Sequence, residues 1–109
     1  MIIINIANDF TDTPGARYIS EGEYSGELFR ETILIPKYVE AIASKRQLKI
    51  ELDGGYGYAT SFLEESFGGL AREYDIQEVL RTLVFESNDE PGLINEITEY
   101  IKKARRERK

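Results

Sequence analysis

Hydrophobic positions change period along this chain, and each change marks an element. Ile2 to Ile6 is β-branched and apolar apart from Asn5. It predicts a strand, and its near-continuous apolarity predicts burial on both faces rather than an edge position. Turn formers dominate Asn8 to Gly15, after which Ala16 to Ser20 predicts a short second strand before a turn at Glu21-Gly22. From Ser25 the period becomes helical. Leu28, Thr32, Ile35, Val39 and Ile42 share one stripe, flanked by Phe29, Ile33 and Ala43, which predicts a helix over 25–44 with Ser25 as its N-cap. Pro36 lies inside that pattern. Its missing N–H and its ring predict a kink or break near Ile35.

Leu48, Ile50 and Leu52 alternate with Lys49, Glu51 and Asp53, the pattern of a central strand closed by Gly54-Gly55. A helix over 60–72 follows, with Phe62, Leu63, Phe67 and Leu70 on one face. A Thr60 or Ser61 N-cap, with Glu64 completing a capping box, is expected at its start. Residues 74–80 predict a connector helix and Thr82 to Glu86 a third buried strand. Asn88 or Asp89 is expected to cap the last helix, in which Leu93, Ile97, Tyr100, Ile101 and Ala104 form the apolar stripe. Pro91 falls near its first turn, where a missing N–H removes nothing. The order is β(β)αβαβα. It predicts an α/β fold, one small domain over 1–109 whose mixed or largely parallel sheet is covered by helices through right-handed crossovers.

Composition narrows the chemistry. A chain of 109 residues with 41% hydrophobic content can bury one core without disulfides or metals. It contains no histidine and no cysteine, which removes the usual zinc, iron–sulfur and thiol sites and the commonest proton shuttle near neutral pH. The expectation is a protein that is not an enzyme and uses no cofactor or metal. A net charge of −6 argues against a nucleic-acid surface, which needs clustered Lys and Arg. The basic end at 102–109 (Lys102, Lys103, Arg105, Arg106, Arg108 and Lys109) is read as cations complementing a helix dipole, with a nucleic-acid or membrane contact as the rival reading. No apolar run approaches the ~20 residues of a membrane span, and Met1 to Ile6 lacks the features of a signal peptide. A cytoplasmic protein is expected.

Several residues invite a functional reading. Asp53-Gly54-Gly55-Tyr56-Gly57 sits at a strand-to-helix junction but lacks both the P-loop Lys-Ser/Thr and dinucleotide spacing, so it reads as a turn needing positive φ. Asp9, Asp12, Asp53, Glu64 and Glu65 supply carboxylates for an acid–base pair or an oxygen-lined Mg²⁺ site, but nothing in their spacing asks for one, and Glu64 and Glu65 near a helix start read as dipole and solubility charges. An enzyme or nucleotide-binding alternative would have Asp53, Arg17, Arg30 and Glu64 converge on one pocket at the strand ends. Gly68 and Gly69 inside a helical pattern each cost about 1 kcal/mol relative to Ala, so a close tertiary approach, by the sheet beneath or by a partner chain, is expected there. The hydroxyls of Thr60 and Ser61 lie just past a strand's carboxyl end, where open α/β folds present ligands. A phosphate there would place a double negative charge against a partner. Tyr56, Tyr58 and Tyr74 would line an interface or cover a core edge.

Gly15-Ala16-Arg17-Tyr18, Tyr24-Ser25-Gly26-Glu27-Leu28-Phe29-Arg30, Ile35-Pro36, Leu52-Asp53-Gly54 and the run from Ser61 to Leu70 together resemble the STAS-like domain family of unknown function. The related STAS domains of anti-sigma factor antagonists are small α/β proteins that bind a histidine-kinase-type ATPase and are released by phosphorylation of a hydroxyl at a helix start. The resemblance implies a regulatory protein-interaction module with Thr60 at the phosphoacceptor position and Ser61 beside it. Ala59-Thr60-Ser61-Phe62 replaces the usual Asp-Ser-Ser-Gly. It further implies a docking surface drawn from Ser25, Glu27 and Arg30 and, around the 60–72 helix, from Gly57, Tyr58, Phe62, Glu64 and Gly68.

Overall fold

The computed structural model describes residues 1–104, so the basic stretch from Arg105 to Lys109 lies outside the described residues. Its centre is a sheet of three parallel strands, β1 (Ile2–Asn5), β2 (Leu48–Glu51) and β3 (Leu83–Glu86), in the order β1-β2-β3. Register aligns Ile2 with Leu48 and Leu83, and Ile4 with Ile50 and Phe85. Those side chains face the core. Because sequence neighbours are also sheet neighbours, two right-handed crossovers in the same direction fall on the same face. The opposite face is left without a helix layer.

That geometry corrects the reading of the first strand. β1 is an edge, and Ile3 on the open face is 50% exposed. Lys49 and Val84 stand in register with Ile3, and the Lys49 ammonium pairs with Glu86 at 2.8 Å and Glu51 at 3.6 Å. The second strand expected over Ala16 to Ser20 does not form. Only a single bridge joins Ala16 to Ser25, and Ile19–Glu21 is a 3₁₀ turn. Glu21 explains this locally, since its carboxylate accepts the N–H groups of Arg17 and Tyr18 that a strand would have used.

After the one-turn helix α1 (Ile6–Asp9), the first crossover is α2, residues 26–44, built from Gly26–Phe29, a π-turn at Arg30–Leu34 and Ile35–Ser44. Ser25 caps it, its hydroxyl accepting the Leu28 N–H at 3.0 Å. Ile35 donates to the Arg30 carbonyl five residues back, and the helix continues through Pro36. A widened turn directly ahead of the proline makes room for the ring that would otherwise clash. It also resets the buried face. Gly26, Arg30, Leu34 and Tyr38 are buried at intervals of four, whereas steps of four drift by about 40° each in an undistorted helix. The predicted stripe is wrong along its length: Leu28 is only half-buried, Thr32 is exposed, and Val39, at 48% exposure, and Ile42 face solvent.

The second crossover contains α3, residues 60–73, formed by Thr60–Leu63, a π-turn at Glu64–Gly68 and Gly69–Glu73. It packs between α2 and the last helix, and every residue from Phe62 to Ala71 except Glu64 is buried. α4 (Ile76–Thr82) follows, capped by the Asp75 carboxylate. α5 (Gly92–Lys102) buries Leu93, Ile97 and Ile101 as its stripe predicts, and Ala104 beyond it. Neither expected cap of α5 acts as one. Pro91 occupies the N-cap without a side-chain bond, and the N–H groups of Asn88 and Asp89 donate instead to Asp53. No helix among the described residues is long and apolar enough to cross a membrane.

The shifted face of α2 is testable by denaturation. Leu34→Ala should destabilise the protein by about 2–5 kcal/mol, while Val39→Ala, on the predicted but exposed stripe, should change stability by no more than ~0.5 kcal/mol. Equal costs would refute the register described.

Candidate functional site

Where α2 crosses α3, the two π-turns face one another and bring charged side chains together. Arg30, in the first π-turn, enters the interior with its side chain about 10% exposed. Its Nη1 donates to the Glu65 carbonyl at 2.7 Å and to Glu65 Oε2 at 2.6 Å. Glycine makes this possible, because a Cβ on Gly69 would lie 2.5 Å from Arg30 Nη1 and 3.0 Å from its Cδ. Gly26 admits α3 equally closely, since a Cβ there would lie 2.6 Å from the Phe62 carbonyl oxygen. The close approach expected at Gly69 thus comes from an arginine side chain, not from the sheet or a partner. Gly68 is similarly crowded, by the Glu64 carboxylate at 2.6 Å.

Glu64 holds two more arginines. Arg17 Nη1 donates to its Oε1 at 2.5 Å and Arg72 Nη1 to its Oε2 at 2.6 Å. Burial pushes the Glu64 carboxyl upward, but the two guanidiniums outweigh it and hold the group below the ordinary carboxylate range. Arg17 also reaches Glu65 Oε1 at 3.4 Å. These groups line a cavity of about 460 Å³ with Tyr18 and Glu73 at its mouth. The pairing corrects the reading of Glu64 and Glu65 as solubility charges and of Glu64 as part of a capping box.

A second group of loops gathers at the carboxyl end of the sheet. Asp53 accepts the N–H of Asn88 at 2.8 Å and of Asp89 at 2.8 Å, tying the loop after β2 to the loop after β3. Those amides hold its carboxylate below the usual range. Gly54 and Gly57 have φ of 98° and 124°, which the turn requires of them. Tyr58 donates to the Leu52 carbonyl at 2.9 Å, and burial, helped by the Asp53 charge, pushes its hydroxyl up to about 12. Tyr56 beside it is 87% exposed. α3 begins here with Ala59 at the N-cap and no side-chain cap bond. Thr60 and Ser61 therefore do not close the helix end, contrary to the capping expectation; Thr60 is exposed and Ser61 half-buried.

Over residues 25–93 the chain matches the family described as a STAS-like domain of unknown function. It belongs to that family. No curated protein and no solved structure matches it. The matched span of this STAS-like domain holds α2, β2, α3, α4 and β3, and with them Arg30, Glu65, Thr60 and Ser61. Arg17 lies before it.

The STAS-like domain separates the sequence-predicted docking residues into two groups. Gly57, Tyr58, Thr60 and Ser61 share the loop-bearing end of the sheet. Ser25, Arg30, Phe62 and Gly68 are buried, so they build the interior rather than a surface. Phe62 packs 5.7 Å from the Phe29 ring and 6.1 Å from Phe10, and Ser25 is the α2 cap. Glu27 is occupied by the Ile19 N–H at 2.8 Å. Of the four groups imagined in one pocket, Arg17, Arg30 and Glu64 do converge, while Asp53 lies with the loops. Sequence reasoning missed Glu65, Arg72 and Glu73 as members. The cost of Gly68-Gly69 was the one available signal, because Arg30 and Glu65 are 35 positions apart.

Two outcomes follow. Gly69→Ala, which in an ordinary helix interior stabilises by about 1 kcal/mol, should here destabilise by about 1–3 kcal/mol in urea denaturation, because the methyl displaces Arg30. Glu64 acts in the acid range. Its folded pKa is depressed, so its contribution is present above its ordinary 4.5 and is lost as pH falls through the folded value. Glu64→Gln should lower stability at neutral pH and flatten the acid limb of the stability profile; an unchanged limb would exclude this assignment.

Proposed function

We propose that this STAS-like domain is a non-catalytic regulatory interaction module that docks a protein partner through the loop-bearing end of its sheet. The partner class is a histidine-kinase-type ATPase, and phosphate on Thr60 or Ser61 is the switch that weakens the complex. Both proteins act in the cytoplasm, and the surface consists of Gly57, Tyr58, Thr60 and Ser61, with the exposed Tyr56 ring beside them.

The observation that carries this reading is the start of α3. Ala59 is the N-cap, so the two hydroxyls next to it are left without a capping duty. A phosphate on either one is compatible with the fold, since added negative charge at a helix N-terminus is favourable. Arg17 and Ser61 line the same shallow depression, giving a cation within the neighbourhood of such a phosphate. Against the enzyme alternative, the converged carboxylates are clasped by arginines. Glu64 is held ionised and is a poor general acid near neutral pH.

The test is to incubate the purified protein and ATP with the histidine-kinase-type ATPase encoded nearest to it, then read intact mass and complex formation. A stable complex is expected, with one added phosphate mapping to Thr60 or Ser61. Thr60→Asp or Ser61→Asp should weaken binding by about tenfold or more. Failure to bind, with alanine and aspartate variants alike indistinguishable from the parent, would end the proposal.

A further inference from the structure

The charges around Arg30 leave one donor over. Glu64 is bound by Arg17 and Arg72, and Glu65 by Arg30 and Arg17. Three guanidiniums are thus hydrogen-bonded to only two carboxylates. Glu73 is the third acid of the cavity, 48% exposed and 3.8 Å from Arg30 Nε, which is too long for a hydrogen bond. Arg30 Nε is buried and has no hydrogen-bond partner among the described residues. A buried N–H on a charged group left in this state is unfavourable, because it has given up water without gaining a partner. The Arg30 side chain lines a cavity of about 460 Å³, within the range of small-ligand sites, although Nε itself is closed to solvent.

We propose that this cavity binds a carboxylate, which takes the hydrogen bond of Arg30 Nε and displaces Glu73 into solvent. Charge selects the class. With Glu73 turned out, three arginines face Glu64 and Glu65, an excess of one positive charge that a single carboxylate neutralises. A phosphate dianion would overshoot it while lying against two ionised carboxylates. Arg17 and Arg72, each about a quarter to a third exposed, flank the bound group, and Tyr18 at the mouth, 45% exposed, covers its carbon chain. The carboxylate belongs either to a small free acid or to an acidic side chain of a bound peptide. This site shares Arg17 with the depression beside Ser61, but its binding group is Arg30, and neither reading requires the other.

The Arg30 Nε–Hε resonance of the full-length protein reports on it directly. Titration with sodium acetate, with an N-acetylated, C-terminally amidated tetrapeptide whose one carboxylate is an Asp side chain, and with inorganic phosphate should shift that resonance saturably for a carboxylate probe and more weakly for phosphate. Response to acetate assigns a free acid; response to the peptide alone assigns an acidic side chain. Glu73→Gln, a change at a half-exposed position, should tighten the effective probe by about two- to fivefold, because it removes the competing carboxylate. A resonance unmoved by either carboxylate, a preference for phosphate, or no tightening in Glu73→Gln would overturn the proposal.

Discussion

The buried clasp between Arg30 and Glu65 governs how α2 and α3 meet, and most of the structure is arranged around it. Removing two such charges from water costs several kcal/mol each, and the cost is offset only when geometry and further hydrogen bonds are good. Here the guanidinium takes both a carboxylate and a backbone carbonyl of the same residue, which ties it to the backbone of α3 as well as to its side chain. Room for it comes from Gly69, and the close approach of the two helices from Gly26. The aromatic layer of Phe10, Phe29, Phe62 and Phe67 then packs where the helices are already held.

A division of labour results along α3. Its first two residues, Thr60 exposed and Ser61 half-buried, carry unengaged hydroxyls. Its middle is committed to the interior on nearly every side, in the manner of a helix surrounded by other elements. The arginine and glutamate cluster lies on the remaining narrow face. The docking surface proposed at the helix start and the ligand site proposed along its flank draw on different residues of α3.

The order of the three strands and of the long helices between them was legible because each strand is short, largely apolar and bounded by turn formers or a helix; the strand expected at Ala16 to Ser20 does not form, because Glu21 takes its backbone amides. The other misreadings share a cause. Periodicity aligned Leu28, Thr32 and Val39, whereas the face that packing buries runs through Gly26, Arg30, Leu34 and Tyr38 and includes a charged residue that an apolar stripe leaves out. Burial of β1 on both faces was inferred from composition, whereas the placement of both crossovers on one face decided it. Thr60 and Ser61 could be placed at a helix start because a local pattern marks one. Glu65, Arg72 and Glu73 could not be placed at the site, since only tertiary folding joins them to Arg30. The glycine pair was the visible trace of that arrangement, and its explanation required the arginine.

Each π-turn is equivalent to a single residue inserted into an ordinary helix. Before the insertion, α2 presents Gly26 and Arg30 to α3; after it, the same helix presents Leu34, Tyr38 and Ala41 to the core. Removing one residue from 30–34 would restore regular geometry and rotate everything downstream by about 100°, carrying Tyr38 and its bond to Glu78 out of place. Length in this stretch is therefore constrained more tightly than composition. Related chains that keep the site should tolerate substitutions along α2 more readily than a gap in it.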